Sequence, residues 1–448
     1  MQPDRKSFFT PLTCQLIIFL TGLLVMAAVV FLTGPEKYSF GDSSDYLNLA
    51  GKLLTENVYP RGQGTFPFFR APLYPFFIYS VWLIFPQSIL AVKLAQCILL
   101  AVTSVLLFRL ASMLFNNMWV AFLAGLAYCF NPFVALQVSD IQTEPLHTLL
   151  VVCGVILLLR SYRTGKLWLF FLTGITWGLG ALCRPSAWPI ALAMFGFIFL
   201  LNIKKLGFGR AFLQPVVAVL GLVLAIAPWT LDNYRQTGEF IVINDASGFN
   251  IWFGNHPELM KFYDGSTNTP ETYSRHMKYM TNDLGKPGVM QNQIDEFERT
   301  NGYYSLKLKD REKLWRDDAI RFLTEDPSRT ATLFGYKLWD YWRPFLQPNA
   351  YPNYQVYISL LFFSVLYIFA FIGGMVLFKK KDGRFYVAFI LAFFLASTGL
   401  HVIILAMIRY RMPYIEPYLT VLAAGGFWWA ACALKQRLRP EKAAAALS

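Results

Sequence analysis

The sequence predicts an all-α polytopic membrane protein with about ten to eleven transmembrane helices. Of its 448 residues, 56% are apolar and only 15% are charged, and one water-soluble domain cannot bury that much apolar surface. The apolar residues lie in continuous runs of about 20, the length that an α-helix needs to cross a bilayer. A β-barrel would instead show alternating segments of about 10 residues. The composition therefore excludes a soluble enzyme and disfavours a barrel.

Ten apolar runs are predicted to cross the membrane. They are 12–33, 88–109, 117–138, 145–160, 167–183, 186–203, 211–230, 356–378, 385–406 and 412–433. The first run follows Arg5 and Lys6 and is too long for the apolar core of a cleavable signal peptide. Segment 71–86 is rich in aromatic residues and flanked by prolines, which favours a helix lying at the membrane surface. A crossing by this segment is the alternative and would raise the count to eleven.

Basic residues are concentrated in a few short loops and at the two ends of the chain. These regions hold 17 of the 40 Lys and Arg residues and, with Asp4 beside Arg5 counted, only 3 of the 27 acids: Arg5/Lys6, Arg109, 160–166, 204–210, 379–384 and 435–442. Such asymmetry follows the positive-inside rule and predicts that these regions are cytoplasmic. It also accounts for the net charge of +13 without a nucleic-acid partner. We therefore predict a multi-pass protein of the cell inner (plasma) membrane.

One long polar segment, residues 231–355, interrupts the apolar pattern and is predicted to form a small extracytoplasmic lobe. Its residues 240–243, Phe-Ile-Val-Ile, predict a short β-strand. Two amphipathic helices are predicted at 303–325 and 328–342. The predicted organisation is an N-terminal catalytic membrane module (1–230, with an outer loop at 34–70), the α(+β) lobe (231–355) and C-terminal membrane helices with a cytoplasmic tail (356–448).

The polar residues of greatest interest all fall near the outer ends of predicted spans or in outer loops. They are Asp42, Asp45, Arg70, Asp140, Glu144, Arg184, His256, Arg409 and Arg411. Charged side chains near a bilayer are costly to bury and usually serve a function. Their common depth predicts a site on the extracytoplasmic face.

The carboxylates and arginines of this set suit different tasks. Asp42 precedes a predicted helix at 44–56, where it is available either as a general base or as a helix N-cap. Arg184, Arg409 and Arg411 lie on the predicted extracytoplasmic side, where the positive-inside rule does not account for basic residues. Their placement favours an anionic ligand with a phosphate group, and lipid headgroups are the alternative.

Three residues are weak candidates for metal ligands. Glu144 and His147 are three positions apart on one helix face, a spacing that occurs in metal sites, and His256 is a further possible ligand. Glu144 could equally complement the dipole of its own helix. We predict no defined metal site and no required cofactor, and dependence on a divalent metal stays open.

The order of short motifs along the chain carries more information than any one of them. The motifs are Asp42…Tyr46, Arg70-Ala71-Pro72-Leu73-Tyr74-Pro75, Glu144-Pro145-Leu146, Arg184-Pro185, Pro228-Trp229, Gly238-Glu239-Phe240, Gly254-Asn255 and Arg409-Tyr410-Arg411-x-Pro413. Over residues 10–430 this order resembles the GT-C fold glycosyltransferases that use polyprenyl-phosphate sugars, among them aminoarabinose transferases and the protein O-mannosyltransferases of glycosyltransferase family 39. Two positions depart from the family pattern. Ser43 stands where a second acid is common, and Asp232-Asn233 replaces Arg-Asn.

The resemblance implies an enzyme that transfers a sugar from a polyprenyl-phosphate-linked donor to an extracytoplasmic acceptor hydroxyl by inverting displacement. It implies that Asp42 is the catalytic base and that Glu144 positions the acceptor or the sugar. The implied substrate-binding residues are Asp45, Tyr46, Arg70, Tyr74, Arg184, Arg409 and Arg411. Whether Asp45 rather than Asp42 is the base stays open, as do the sugar and the acceptor, which is a lipid, a glycan or a protein.

A flippase for polyprenyl-linked lipids, or another membrane transporter, is the alternative function. Transporters commonly repeat two halves with broken helices near the middle of the membrane. This chain instead shows one large outer segment and polar residues gathered at one face. The expected partners are thus the donor, the acceptor and membrane lipids, with no nucleic acid.

Overall fold

The protein is built from α-helices, as its composition predicts. The computed structural model describes residues 10–38, 42–60, 70–244, 246–257, 259–260, 296–302, 305–346 and 352–438. Within these ranges there is no β-strand. The predicted all-α class is therefore confirmed.

Among the described residues, seventeen helices with defined bounds form the framework that positions the functional residues. In chain order they are α1 (Pro11–Thr33), α2 (Asp42–Glu56), α3 (Leu73–Trp82), α4 (Ile89–Phe115), α5 (Met118–Cys129), α6 (Pro132–Leu136), α7 (Glu144–Thr164), α8 (Leu167–Cys183), α9 (Ala187–Leu206), α10 (Phe208–Thr237), α11 (Ser247–Gly254), α12 (Leu308–Glu325), α13 (Pro327–Trp342), α14 (Asn353–Phe378), α15 (Gly383–Ile403), α16 (Ile408–Arg411) and α17 (Glu416–Leu438). A short 3₁₀ turn, Gln137–Ser139, follows α6.

Among the described residues, eight helices are long and apolar enough to cross a membrane: α1, α4, α7, α9, α10, α14, α15 and α17. Helix α5 and the segment Pro132–Ser139 form a ninth candidate, bent by 43°. Helix α8 has 17 residues and packs along both α7 and α10. With α8 included, these helices coincide with the ten predicted runs. Helix α3 has only 10 residues, about 15 Å of helix, and this length favours a surface position over a crossing.

The predicted strand at 240–243 is wrong, and the neighbouring helix supplies the reason. Side chains of α10 bind the backbone carbonyl groups that a partner strand would otherwise use. Trp229 Nε1 donates to the carbonyl oxygen of Ile243 at 2.8 Å, and Thr230 Oγ1 donates to that of Val242 at 2.7 Å. The amide of Asn233 donates to the carbonyl oxygen of Ile241 at 2.9 Å. This segment is thus held against a helix rather than in a sheet.

The two predicted amphipathic helices of the outer lobe are present as α12 and α13. Asp326 separates them, and its side chain accepts a hydrogen bond from the backbone nitrogen of Arg329 at 2.9 Å, which caps the start of α13. Lys337 on α13 is fully buried and donates to Asn255 Oδ1 at 2.7 Å. It also donates to the carbonyl oxygen of Ile404, at the end of α15, at 3.3 Å. Helix α13 therefore packs directly against the end of α15.

Helices α8 and α10 approach so closely that Gly174 cannot carry a side chain without movement of the backbone. A Cβ atom at Gly174 would lie 1.8 Å from the carbonyl oxygen of Ala218. We expect Gly174→Ala to destabilise the protein by about 1–3 kcal/mol, because overpacking forces the backbone apart. Gly196→Ala is the matched control, since its added Cβ would meet no described atom within 4 Å apart from the adjacent part of its own helix. Thermal unfolding in detergent measures both variants, and equal midpoints would contradict this account of the contact.

Candidate active site

Six charged side chains of alternating sign form one continuous ionic chain where several helices begin or end. In order of contact they are Asp45, Arg70, Asp42, Arg409, Glu144 and Arg184. Three carboxylates face three guanidinium groups, so the chain is formally neutral. All six were predicted from the sequence as site residues, and the fold brings all six together.

Asp42, the first residue of α2, is held between two arginines. Its Oδ1 accepts from Arg70 Nη2 and its Oδ2 from Arg409 Nη2, both at 2.7 Å, so ion pairing occupies both carboxylate oxygens. Arg70 also donates to Asp45 Oδ2 at 2.8 Å. Burial alone would raise the pKa of Asp42, but the charges of Arg409 and Arg70 outweigh it and hold the pKa well below its usual range. Asp42 is therefore ionised at neutral pH.

Glu144, the first residue of α7, forms the other half of the chain. Its side chain is only 3% exposed, and its Oε1 accepts from Arg184 Nη1 at 2.7 Å. The same oxygen lies 3.9 Å from Arg409 Nε. Arg184 follows the last residue of α8, and its guanidinium group lies over the ring of Tyr410 at 4.7 Å. Arg409 thus connects the two carboxylates, Asp42 and Glu144, from a segment far along the chain.

Ser43 and Asp140 lock the start of α2 against the segment that precedes α7. Ser43 Oγ donates to Asp140 Oδ1 at 2.7 Å and is 3.0 Å from the carbonyl oxygen of Ile141. This is the position where the resembling family often has a second acid. Here the residue positions the neighbouring Asp42 instead of adding a charge.

Tyr46 and Tyr74, both predicted to contact substrate, lie buried beneath Arg70. The Arg70 guanidinium group is 5.3 Å from the ring of Tyr46, and the two tyrosine rings meet edge to face at 4.9 Å. The hydroxyl group of Tyr74 donates to Gln96 Oε1. Tyr46 thus packs against the guanidinium group of Arg70, and Tyr74 packs in turn against Tyr46.

Gln96, on α4, supports the segment before α7 and was not predicted from the sequence. It is fully buried, and its amide nitrogen donates to the carbonyl oxygen of Asp140 at 2.8 Å. It accepts from the backbone nitrogen of Gln142 at 3.3 Å, as well as from Tyr74. The sequence did contain an indication of this role. Gln96 is an amide side chain within an apolar run, and a polar group buried there is costly unless it has a hydrogen-bond partner.

Arg411 lies apart from the ionic chain, although it is only two residues from Arg409. Arg411 and Glu416 are both fully buried, and Arg411 Nε donates to Glu416 Oε1 at 2.6 Å. Arg411 Nη1 also donates to the backbone carbonyl of Tyr341 at 3.1 Å and to the hydroxyl group of Tyr367 at 2.6 Å. Its contacts join α13, α14 and α17, so a substrate-binding role for Arg411 stays a prediction.

The three weak metal candidates are each engaged elsewhere. Glu144 binds Arg184, His147 Nε2 is 2.7 Å from the hydroxyl oxygen of Tyr414, and His256 packs on Trp252 with ring centroids 4.3 Å apart. Within the described part of the chain, no three His, Cys, Asp or Glu side chains are arranged to hold a metal ion.

Part of the sequence matches a known family. Residues 69–230 match the family model described as dolichyl-phosphate-mannose-protein mannosyltransferase, and this range includes Arg70, Glu144 and Arg184. The resemblance predicted from the motifs is therefore confirmed over these residues. No curated protein sequence matches the chain.

The fold is similar to that of solved membrane glycosyltransferases. One is the archaeal oligosaccharyltransferase AglB from Archaeoglobus fulgidus, in complex with an inhibitory peptide and a dolichol-phosphate (TM-score 0.56, 13% identity, 95% of this chain and 51% of that chain). Another is the oligosaccharyltransferase of the same organism tethered to an acceptor peptide (TM-score 0.56, 14% identity, 98% and 51%). ArnT from Cupriavidus metallidurans, bound to undecaprenyl phosphate, has a TM-score of 0.41 (12% identity, 94% and 79%).

The chain spans about half the length of the two oligosaccharyltransferase chains that it matches. At these identities the similarity shows a shared fold. The GT-C fold predicted from the order of the motifs is confirmed.

Proposed function

We propose that the protein is an integral membrane glycosyltransferase that transfers a sugar from a polyprenyl-phosphate-linked donor to an acceptor hydroxyl group by inverting displacement. The observation that carries this proposal is the ionic chain, in which Asp42 and Glu144 share Arg409. A carboxylate that can take a proton and guanidinium groups that can hold a phosphate stand side by side there. The family match over residues 69–230 supports a polyprenyl-phosphate donor.

The arginines suit the leaving group of such a donor. Guanidinium groups bind phosphate through paired, charge-assisted hydrogen bonds. Arg70, Arg184 and Arg409 are held by carboxylates, so they do not need to be ordered when a donor arrives. Preorganised donors of this kind stabilise the charge that develops on a leaving group.

In the proposed reaction the acceptor oxygen attacks the anomeric carbon from the side opposite to the phosphate. The bond between the anomeric carbon and the phosphate oxygen breaks, and its electron pair stays on the lipid phosphate beside the arginines. The acceptor hydroxyl proton passes to Asp42. Attack from the opposite side inverts the anomeric configuration, and no external oxidant or nucleotide is needed.

Donor binding would also adjust the basicity of Asp42. Arg409 and Arg70 hold the pKa of its carboxyl group below the usual range. The negative charge of a phosphate bound beside these two guanidinium groups offsets their effect on Asp42 while they stay in place, so the pKa of Asp42 rises. Asp42 becomes a better proton acceptor when the donor is bound. Glu144, held by Arg184, would keep the arginines in place and position the acceptor or the sugar.

The proposed location is the extracytoplasmic face of the inner (plasma) membrane. The apolar helices support a multi-pass membrane protein, and the basic residues favour a cytoplasmic position for the loops at the other helix ends. The ionic chain lies at the beginning of α2 and α7 and at the end of α8. On this orientation these ends face away from the cytoplasm.

The test is a comparison of envelope glycolipids, glycans and glycoproteins by mass spectrometry, from cells with and without the protein. We expect one sugar residue to be missing from one acceptor when the protein is absent. Purified protein in proteoliposomes should then move that sugar from its polyprenyl-phosphate donor to the acceptor and release the polyprenyl phosphate. Movement of the donor across the bilayer without sugar transfer would contradict the proposal and favour the flippase.

A further inference from the structure

A second charged site lies at the end of the helix bundle opposite to the ionic chain. It is an open cleft of about 700 Å³ between the beginning of α1 and the ends of α4 and α7. Three arginines line it: Arg109 on α4, and Arg160 and Arg163 on α7. The catalytic proposal uses none of these residues.

The length of α7 relates the depth of the cleft in the membrane to that of the ionic chain. Helix α7 begins at Glu144, in the ionic chain, and reaches Arg160 and Arg163 in its last turns. A rise of about 1.5 Å per residue places these arginines roughly 24 to 29 Å from Glu144 along the helix. The hydrocarbon core of a bilayer is about 30 Å thick. A helix with Glu144 at one membrane surface therefore carries its arginines to the other.

The charge of the cleft is not balanced by its own lining. Among the described residues, the lining includes three guanidinium groups and no carboxylate. Arg109 donates from Nε and Nη2 to the Gln15 side-chain oxygen at 3.2 and 3.1 Å, and that amide is neutral. The helix dipole accounts for one basic residue in the last turn of α7, and the positive-inside rule accounts for basic residues at this end of the helices. Neither accounts for the convergence of three arginines from two helices in one cleft.

The remaining lining suits a molecule with an apolar tail. Phe108, Met113 and Ile156 contribute apolar surface beside the arginines, and Ser112 contributes a polar group. A small soluble anion would gain nothing from this apolar surface. A phospholipid would place its phosphate at the guanidinium groups and its acyl chains along the helices. Basic pockets between transmembrane helices commonly recognise such headgroups.

We propose that this cleft binds the phosphate headgroup of an anionic phospholipid from the leaflet opposite to the ionic chain. The lipid would join α1, α4 and α7, and the other ends of α4 and α7 carry Gln96 and Glu144 of the candidate active site. Lipid binding here is independent of sugar transfer and would hold for a transporter as well.

Native mass spectrometry of the purified full-length protein, titrated with phosphatidylglycerol or phosphatidylcholine, tests this assignment. We expect the protein to prefer phosphatidylglycerol. The triple variant Arg109→Gln/Arg160→Gln/Arg163→Gln should bind it about 100-fold more weakly, since each arginine near an anionic headgroup contributes about 1 kcal/mol. The same three positions changed to lysine should keep most of the binding, which separates lost charge from misfolding.

The matched control replaces three basic residues in the short loop between α14 and α15 and the start of α15: Lys379→Gln/Lys381→Gln/Arg384→Gln. These residues lie outside the cleft lining, so this variant should bind phosphatidylglycerol as the unmodified protein does. An equal loss in the control would mean a diffuse surface attraction and would overturn the proposal. Release of the lipid by millimolar inorganic phosphate would also overturn it, because the cleft would then be a site for free phosphate.

Discussion

Asp42→Asn is expected to insert and fold but to lose about 100-fold to 10,000-fold in sugar transfer, the usual contribution of a general base. The amide keeps the shape of the carboxylate but cannot accept the acceptor proton. Arg70 and Arg409 each lose one charged partner, although both lie beside a further carboxylate. The measurement is the rate of transfer in proteoliposomes, with thermal unfolding recorded for the same preparation.

Asp45→Asn is the matched control for this prediction. Asp45 contacts the same Arg70, but its side chain is 54% exposed. An exposed ion pair contributes at most about 1 kcal/mol, so transfer should fall by less than about tenfold. The opposite pattern, with Asp45→Asn inactive and Asp42→Asn active, would identify Asp45 as the base. Full activity in both variants would remove the ionic chain from the mechanism.

Arg409→Gln is expected to reduce transfer by about 100-fold to 1,000-fold, as the loss of one preorganised donor to a developing anion does. It should also change the pH dependence. Arg409 lowers the pKa of Asp42, so its removal raises that pKa. Because Asp42 accepts a proton only when ionised, the acidic limb of the kcat/KM profile should move to higher pH.

Arg409→Lys distinguishes the effect of the positive charge at this position from the effect of the guanidinium hydrogen bonds. Lysine keeps the positive charge, so the acidic limb should stay near its original pH, while the loss of paired hydrogen bonds lowers the rate. Arg321→Gln, at a residue whose side chain is 70% exposed in α12, should change neither the rate nor the limb. An unchanged acidic limb in Arg409→Gln would contradict the proposed coupling between Arg409 and Asp42.

The membrane helices were predictable because the bilayer imposes a simple requirement on the sequence. A span needs about 20 apolar residues in a row, and runs such as 356–378 show this directly. The predicted strand at 240–243 was wrong because the conformation of this segment depends on contacts with a distant helix. Its β-branched sequence is typical of a strand, but the side chains of Trp229, Thr230 and Asn233 bind its carbonyl groups. Local pattern carries no information about these tertiary contacts.

The sequence predicted which charged residues form the site, but not which of two neighbouring arginines enters it or which buried residue supports it. Arg409 and Arg411 are two positions apart, so on one helical turn they point in nearly opposite directions. One reaches Asp42, whereas the other enters a buried pair with Glu416. Which of the two faces the site depends on how α16 docks. Gln96 was missed for a similar reason, because its polar partners come from distant segments.

The most direct test of the proposed site is photo-crosslinking with a polyprenyl phosphate analogue that carries a photoreactive group beside its phosphate. Peptide mapping by mass spectrometry should find the label on segments that contain Arg70, Arg184 or Arg409, and Arg409→Gln should reduce it. Labelling confined to other segments, such as those of Arg109 and Arg160 at the opposite end of the bundle, would contradict the assignment of the carrier phosphate to the ionic chain.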